Sequence, residues 1–137
     1  MRNYTSLGKR IGGWIKTQVR RAGAQGAVFG LSGGGDSAVV GVLCRQALGR
    51  DRVFGLLLPC HTEEPEMEDA RLLAEKFDIP WGRVDLTPVF DQLSGILPKS
   101  PPLVQANLKP RLRMLTLYAH ANARNGLVIG TGNKSEL

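Results

Sequence analysis

The sequence predicts an α/β protein with a doubly wound parallel sheet and helices on both faces. Three observations lead to this fold class: short apolar runs alternate with longer amphipathic segments, each run has the length of a buried strand, and two runs end in glycine-rich segments. Buried strands joined by helices are typical of parallel sheets. With 137 residues and 42% hydrophobic content, the chain can form one compact domain.

The first half of the chain supplies two predicted helices and two predicted strands. Apolar residues recur at helical spacing between Leu7 and Val19, which predicts a helix over roughly residues 3 to 22. The run AVFGLS predicts a buried strand, and AVVGVLCRQAL predicts a helix that Gly49 closes. RVFGLLLP predicts a second strand, which Pro59 ends.

The second half continues the alternation. MEDARLLAEKF predicts a helix and WGRVDL a third strand. Residues 95–110 contain four prolines and predict a loop, preceded by a short helix around Val89 to Leu93. RLRMLTLYAHANARNG then predicts a helix, and LVIGTG a fourth strand that ends in glycine.

Charge and cysteine content narrow the function classes. The formal net charge is +6, but the basic residues are scattered, so anionic small ligands fit as well as nucleic acid and we do not expect nucleic-acid binding. Cys44 and Cys60 form no CxxC motif, which indicates neither a zinc site nor a disulfide framework. No apolar stretch has bilayer length and no signal peptide is evident, so we expect a cytoplasmic protein without a membrane partner.

The two glycine-rich segments follow the first and the fourth predicted strands. Ligands of open α/β sheets bind beyond the carboxyl ends of the strands, at a topological switch point. SGGGDS and GTGNKSE are therefore expected to face one ligand although they lie far apart in the sequence.

The first of these segments has the chemistry of a phosphate cradle. Small residues let backbone amides approach phosphate, and the N-terminus of the following helix adds partial positive charge. Neither the Walker A pattern nor the GxGxxG fingerprint is present. Asp36 leaves two interpretations: it caps the helix, or it binds a magnesium ion that stands between its carboxylate and the phosphates.

A family resemblance favours the second interpretation. SGGGDS resembles the SGGxDS signature of the ATP pyrophosphatase superfamily, which has a Rossmann-like, adenine nucleotide alpha hydrolase-like fold and forms adenylates by cleaving ATP between its α and β phosphates. The stretch RLRMLTLYAHANARNGLVIGTGNKSEL is similar to the RxRM…N…LVxGTGNxSE pattern of NAD synthetases. The two strings together narrow the resemblance to that family.

The resemblance implies a set of site residues. Asp36 and Glu136 correspond to magnesium ligands, Thr131 to an ATP contact, and Arg111 to a contact of the substrate deamido-NAD. Arg113 belongs to the same motif without an assigned role. The ATP phosphate loop corresponds to Gly30, Leu31, Ser32, Gly33, Gly34, Gly35, Asp36 and Ser37.

The activity that the resemblance implies is that of a carbon–nitrogen ligase in NAD biosynthesis. The nicotinate carboxylate of deamido-NAD attacks the α-phosphate of ATP, pyrophosphate leaves, and ammonia displaces AMP to give NAD, with Mg²⁺ as cofactor. The family usually forms homodimers, so we expect one. Only 29 residues precede Gly30, too few for the glutaminase domain of some members, which favours the ammonia-dependent form or one with a separate glutaminase subunit.

Family members usually continue beyond the GTGNKSE segment. We therefore expect residues 1–137 to form a single ATP pyrophosphatase-type nucleotide-binding domain that lacks the C-terminal part of the family fold. Two alternatives stay open, the first because of the loop motif alone and the second because of the missing C-terminal part. One is another SGGxDS adenylating enzyme, either GMP synthase-like or tRNA-thiolating, and the other is a catalytically inactive ATP-binding module.

Overall fold

The computed structural model describes residues 2–99 and 101–130. Within these ranges no helix combines the length and hydrophobicity needed to cross a membrane. In chain order the elements are α1 (Arg2–Arg21), β1 (Gly26–Leu31), α2 (Gly35–Leu48), β2 (Val53–Leu57), α3 (Glu64–Lys76), β3 (Trp81–Arg83), α4 (Thr87–Ile96), α5 (Pro102–Ala106), α6 (Leu108–Arg124) and β4 (Gly126–Val128). A 3₁₀ turn, Arg50–Arg52, joins α2 to β2.

The sheet is four-stranded and parallel, in the order β3-β2-β1-β4. β1 is central, with Ala27 opposite Val53 of β2 and Val28 opposite Val128 of β4. The chain passes from β1 through β2 to β3 on one side and then adds β4 on the other side of β1. The topological switch point therefore lies between β1 and β4, and the predicted α/β fold is confirmed.

Helices cover both faces of the sheet because the strand side chains alternate between two apolar clusters. Phe29 and Leu31 of β1 pack with residues of α1, α2 and α3, such as Val19 and Cys44. Val28 points the other way, into a cluster with α4 and α6 that includes Leu117. Burying a large apolar side chain such as Phe29, which is 1% exposed, contributes about 1.5–3 kcal/mol.

The predicted loop over residues 95–110 is wrong in part. The segment contains α5 and the start of α6, so it is largely helical. Pro102 is the first residue of α5 and Pro110 the third of α6. Proline is tolerated there because the first N–H groups of a helix have no intrahelical acceptor. Two of the four prolines therefore mark helix starts in this segment.

Close packing fixes α2 behind β1. A Cβ atom on Gly41 would lie 3.1 Å from Leu31 Cδ2 and 3.2 Å from Phe29 Cε1, so glycine is what lets the helix approach the sheet. Cys44, one turn later, is fully buried in the same cluster. This contact places the N-terminus of α2 at the carboxyl end of β1.

Candidate functional site

A cavity of about 710 Å³ opens at the carboxyl edge of the sheet, across the switch point. Gly30 and Ser32 line it from the end of β1, and Gly130 lines it from the end of β4. Its volume falls within the range of pockets that bind cofactors and drug-sized ligands. The first glycine-rich segment and Gly130, the residue of the second segment that the structure describes, therefore line one cavity.

Two serines hold the loop between β1 and α2 in a closed turn. The Ser32 N–H donates to Ser37 Oγ at 3.0 Å, and the two hydroxyl oxygens are also 3.0 Å apart. The Gly34 N–H donates to Ser32 Oγ at 3.2 Å. The Ser37 hydroxyl lies 3.2 Å from the carbonyl oxygens of both Ser32 and Gly34. These bonds tie the first turn of α2 to the end of β1.

Asp36 is not the helix cap. Gly34 occupies the N-cap position and makes no side-chain capping bond, while Asp36 lies in the first turn of α2 with its side chain exposed. The amides of residues 35–37 have no acceptor inside the helix, because the first N–H groups of any helix point beyond its end. Those amides and the partial positive charge of the helix end face the side from which an anion would approach.

Two glycines of the loop, Gly33 and Gly35, differ in whether the surrounding structure has space for a side chain. A Cβ atom on Gly33 would lie 3.0 Å from Glu66 Cγ and 3.1 Å from the Glu66 carbonyl oxygen, so α3 would have to shift by a few tenths of an ångström to admit it. A Cβ atom on Gly35 would meet nothing within 4 Å. Gly35 also lacks the positive φ that favours glycine. The fold therefore explains Gly33 but not Gly35.

Arg113, rather than Arg111, lines the cavity. Its Nε donates to the carbonyl oxygen of Leu58 at 3.0 Å, and its Nη2 lies 3.4 Å from Thr62 Oγ1. Arg111 is exposed on α6. Residues two apart on a helix are rotated by about 200°, so the two arginines face opposite sides. The predicted role of Arg111 as a substrate contact stays a prediction.

The sequence contained a signal that would have singled out Arg113. Arg113 stands four residues before Leu117 and eight before Ala121, which are both buried against the sheet. Positions at this spacing share one face of a helix. An arginine on the buried stripe of a helix needs partners for its N–H groups, and the end of β2 supplies them.

The rest of the cavity wall is largely apolar, with two aromatic side chains among its lining. Trp14 and Tyr118 contribute to the lining although they are 56% and 50% exposed. The spacing of α1 predicts Trp14 on the core-facing stripe, but the structure leaves this side chain half in solvent. Exposed aromatic faces can stack on a flat heterocycle. The apolar lining residues include Leu56, Leu58, Met67, Met114, Leu117 and Ile129.

Cys60 and His61, which follow β2, do not line this cavity. Cys60 is 1% exposed, and burial raises the pKa of its thiol, an effect that the charges of Arg113 and Lys109 partly offset. His61 has a left-handed backbone, with φ of 53°, and its Nε2 lies 2.6 Å from Asp91 Oδ1. Its ring therefore turns towards α4.

Comparison with known proteins identifies the family to which the loop belongs. A family model described as NAD synthase matches residues 7–137. The chain belongs to the NAD synthase family. Membership confirms the resemblance that SGGGDS and GTGNKSE indicate, and it does not favour a GMP synthase-like or tRNA-thiolating enzyme.

The relatives of this NAD synthase family member include named enzymes. The NH(3)-dependent NAD(+) synthetase of Archaeoglobus fulgidus is 44% identical over 140 residues, which cover 98% of this chain and 56% of that protein. The corresponding enzyme of Finegoldia magna is 42% identical over 135 residues, 98% of this chain and 56% of its own. The chain spans about half the length of the curated relatives it matches, from 52% to 57%.

Solved structures show the same fold. The NH3-dependent NAD synthetase from Campylobacter jejuni superposes with a TM-score of 0.88 at 33% identity, over 97% of this chain and 58% of that one. The NMN synthetase from Francisella tularensis superposes with a TM-score of 0.85 at 30% identity, over 96% and 56%. The parallel sheet and the loop at its switch point are therefore features that this chain shares with the family.

The predicted magnesium ligands of this NAD synthase family member are described only in part. Asp36 is exposed near the cavity, whereas Glu136 and the predicted ATP contact Thr131 lie outside the described residues. Within the described ranges no group of three or more histidine, cysteine, aspartate or glutamate side chains could hold a metal ion. A lone carboxylate still fits Mg²⁺, because this ion is usually held by one or two carboxylates together with substrate phosphates and water.

Proposed function

We propose that this protein binds ATP at the loop between β1 and α2 and uses it to convert deamido-NAD to NAD, with ammonia as the nitrogen donor. The observation that carries the proposal is the position of SGGGDS. This segment ends the central strand at the switch point and opens into a cavity of about 710 Å³. Family membership adds the reaction class, and the names of the relatives add the nitrogen donor.

The proposed reaction proceeds by two displacements. A carboxylate oxygen of deamido-NAD forms a bond to the α-phosphorus of ATP. The bond between that phosphorus and the oxygen that bridges the α and β phosphates breaks, and pyrophosphate leaves. Ammonia then attacks the carboxyl carbon of the adenylate, AMP leaves with the bonding electrons, and a proton is released. The protein has little covalent chemistry to perform, so its main task is to position and neutralise charge.

The residues at the switch point fit this task. Carboxylate and triphosphate repel each other, and the amides of residues 35–37, with the hydroxyl group of Ser32, supply donors for phosphate oxygens. Asp36, and Glu136 beyond the described residues, would hold Mg²⁺. The ion, when bound, neutralises charge on the triphosphate. Thr131 and Arg111 are the proposed contacts for ATP and deamido-NAD.

The products of the reaction test this proposal. The protein is incubated with deamido-NAD, ATP, MgCl₂ and an ammonium salt, and NAD, AMP and pyrophosphate are quantified by ion-exchange chromatography. We expect the three products in equal amounts. Formation of ADP and phosphate instead, or no NAD, would contradict the proposal. Replacing ammonium by glutamine tests the nitrogen donor, and we expect no NAD unless a separate glutaminase subunit is added.

A matched pair of variants locates the reaction. Asp36→Asn removes the proposed magnesium ligand and should lower kcat/KM at least tenfold, because charge neutralisation is its proposed role. Asp69→Asn makes the same chemical change on α3, at an exposed residue that no ion pair in the described part of the chain involves. Its kcat/KM should equal that of the wild type. Equal losses in both variants would exclude the assignment of Asp36.

A second candidate reaction is amidation at the mononucleotide level. The structural similarity to the NMN synthetase from Francisella tularensis favours this candidate. The same adenylating chemistry then acts on nicotinic acid mononucleotide. A comparison of kcat/KM for the dinucleotide and mononucleotide acids decides between the two, and a preference for the mononucleotide would replace the first candidate.

We also propose a homodimer, as the family resemblance implies. Light scattering during size-exclusion chromatography should give twice the mass of one 14.9 kDa chain. A mass of one chain over the working concentration range would contradict this assembly.

A further inference from the structure

Arg113 is held in place by the segment that follows β2. Its Nε donates to the carbonyl oxygen of Leu58 at 3.0 Å, and its Nη2 donates to Thr62 Oγ1 at 3.4 Å. A guanidinium group carries five N–H donors in a rigid fork, so three donors remain after these two bonds. The side chain is half-buried and lines the cavity.

Arg113 forms no ion pair with a carboxylate in the part of the chain that the structure describes, although Glu66 lines the same cavity. The basic partners in the ion pairs found there are arginines 45, 50, 71 and 83 and His61. Each of them pairs with an exposed carboxylate. A partly buried charge without a partner is costly, because it has lost part of its hydration. This cost falls when an anion enters the cavity.

Arg113 and the phosphate loop line the same cavity. Ser32 and Ser37 line the same cavity from β1 and α2, while Leu58 and Thr62 line it from the end of β2. A ligand that lies against the loop is therefore in the same cavity as Arg113. Arg113 can reach a ligand in the cavity, whereas Arg111 lies on the other side of α6 and does not line the cavity.

We propose that Arg113 binds an anionic group of the substrates in this cavity, either a phosphate of ATP or the carboxylate of the pyridine nucleotide, and that Leu58 and Thr62 fix its fork for that contact. The inference rests on the proposed function. It adds a binding residue for the reacting groups and states which chemistry this residue recognises.

The experiment measures the affinities of four ligands by isothermal titration calorimetry, for the wild type, Arg113→Gln and Arg113→Lys. ATP is compared with adenosine, which has no phosphate, and deamido-NAD is compared with NAD, which has no nicotinate carboxylate. We expect Arg113→Gln to weaken the binding of either ATP or deamido-NAD roughly tenfold to a hundredfold, and to weaken the binding of the counterpart that lacks the phosphate or the carboxylate less than twofold. Weaker binding of ATP identifies a phosphate as the group that Arg113 contacts, and weaker binding of deamido-NAD identifies the carboxylate.

Arg113→Lys keeps the charge but loses the fork. Lysine cannot hold the Leu58 carbonyl and an anion at once in this geometry, so the same ligand should bind at least threefold more weakly. This variant also carries the test if Arg113→Gln fails to fold. Arg20→Gln is the control, because Arg20 is exposed in the last turn of α1, next to the opposite edge of the sheet, and all four affinities should stay at the wild-type values.

Two results would overturn the inference. Unchanged affinities in both Arg113 variants would exclude an anion contact. Equal losses for a ligand and for its counterpart without the phosphate or the carboxylate would show a purely structural role. Failure of the proposed function looks different: ATP affinity would depend on Arg113 while no NAD forms. Conversely, normal NAD formation by Arg113→Gln with unchanged affinities would leave the function in place and remove this residue from it.

Discussion

Replacing Gly35 by alanine separates what the fold requires at the start of α2 from what a ligand requires. A Cβ atom at this position meets nothing within 4 Å, and the backbone does not have positive φ. Alanine is favoured over glycine by up to about 1 kcal/mol in a helix. We therefore expect Gly35→Ala to unfold at the wild-type temperature or up to about 3 °C above it.

The same methyl group should interfere with ATP. It occupies space beside the first-turn amides, where the proposed phosphate contacts lie. Losing one charge-assisted hydrogen bond costs about 1.5–3 kcal/mol, which weakens binding roughly tenfold to a hundredfold. Calorimetric titration of ATP in the presence of MgCl₂ measures this change, and differential scanning calorimetry measures the stability.

Gly13→Ala is the matched control for Gly35→Ala. Gly13 lies inside α1 and is exposed, and a Cβ atom added there would also meet nothing within 4 Å. This variant should gain stability and keep its ATP affinity. Unchanged ATP affinity in a folded Gly35→Ala protein would refute the view that this glycine serves ligand approach.

Three further predictions concern the stability and reactivity of the fold. Gly33→Ala should destabilise the protein by about 1–3 kcal/mol in urea unfolding, because its methyl group would push on the Glu66 carbonyl; a neutral effect would contradict that packing. The pKa of Asp78 is lowered chiefly by its hydrogen bond from Arg50, so the stability advantage over Asp78→Asn should be complete above about pH 4 and shrink as the pH falls further; an advantage independent of pH would count against this ion pair. Burial raises the pKa of the Cys44 thiol to about 12, so a thiol reagent at pH 8 should modify it only after unfolding, and rapid labelling of the folded protein would contradict its burial.

The order of helices and strands could be predicted because it depends on local patterns. AVFGLS and RVFGLLLP are too short and too apolar for surface helices, and glycine or proline follows each of them. The prolines of residues 95–110 misled the prediction. Proline breaks a helix in its interior but starts one in its first turn, and local composition does not distinguish these cases before the helix boundary is known.

The candidate site could be predicted where it is a continuous segment. The loop from Gly30 to Ser37 carries its own glycines, hydroxyl groups and carboxylate, so its chemistry is readable from the sequence. The opposite wall could not be predicted in the same way. The contribution of Arg113 depends on the rotation of α6, which the burial of Leu117 and Ala121 sets, and on the position of Leu58 after β2.

The central claim is that nucleotide binds at the carboxyl edge of the sheet, in the cavity that the β1–α2 loop lines. Backbone amide chemical shifts of the ¹⁵N-labelled protein, recorded during titration with ATP and MgCl₂, test it most directly. The account predicts that the largest shifts occur at residues 32–37 and at Gly130, and that Asp36→Asn reduces them at the same ATP concentration. Shifts confined to the opposite edge of the sheet, around Gln25 and Arg52, or no shifts at millimolar ATP, would contradict it.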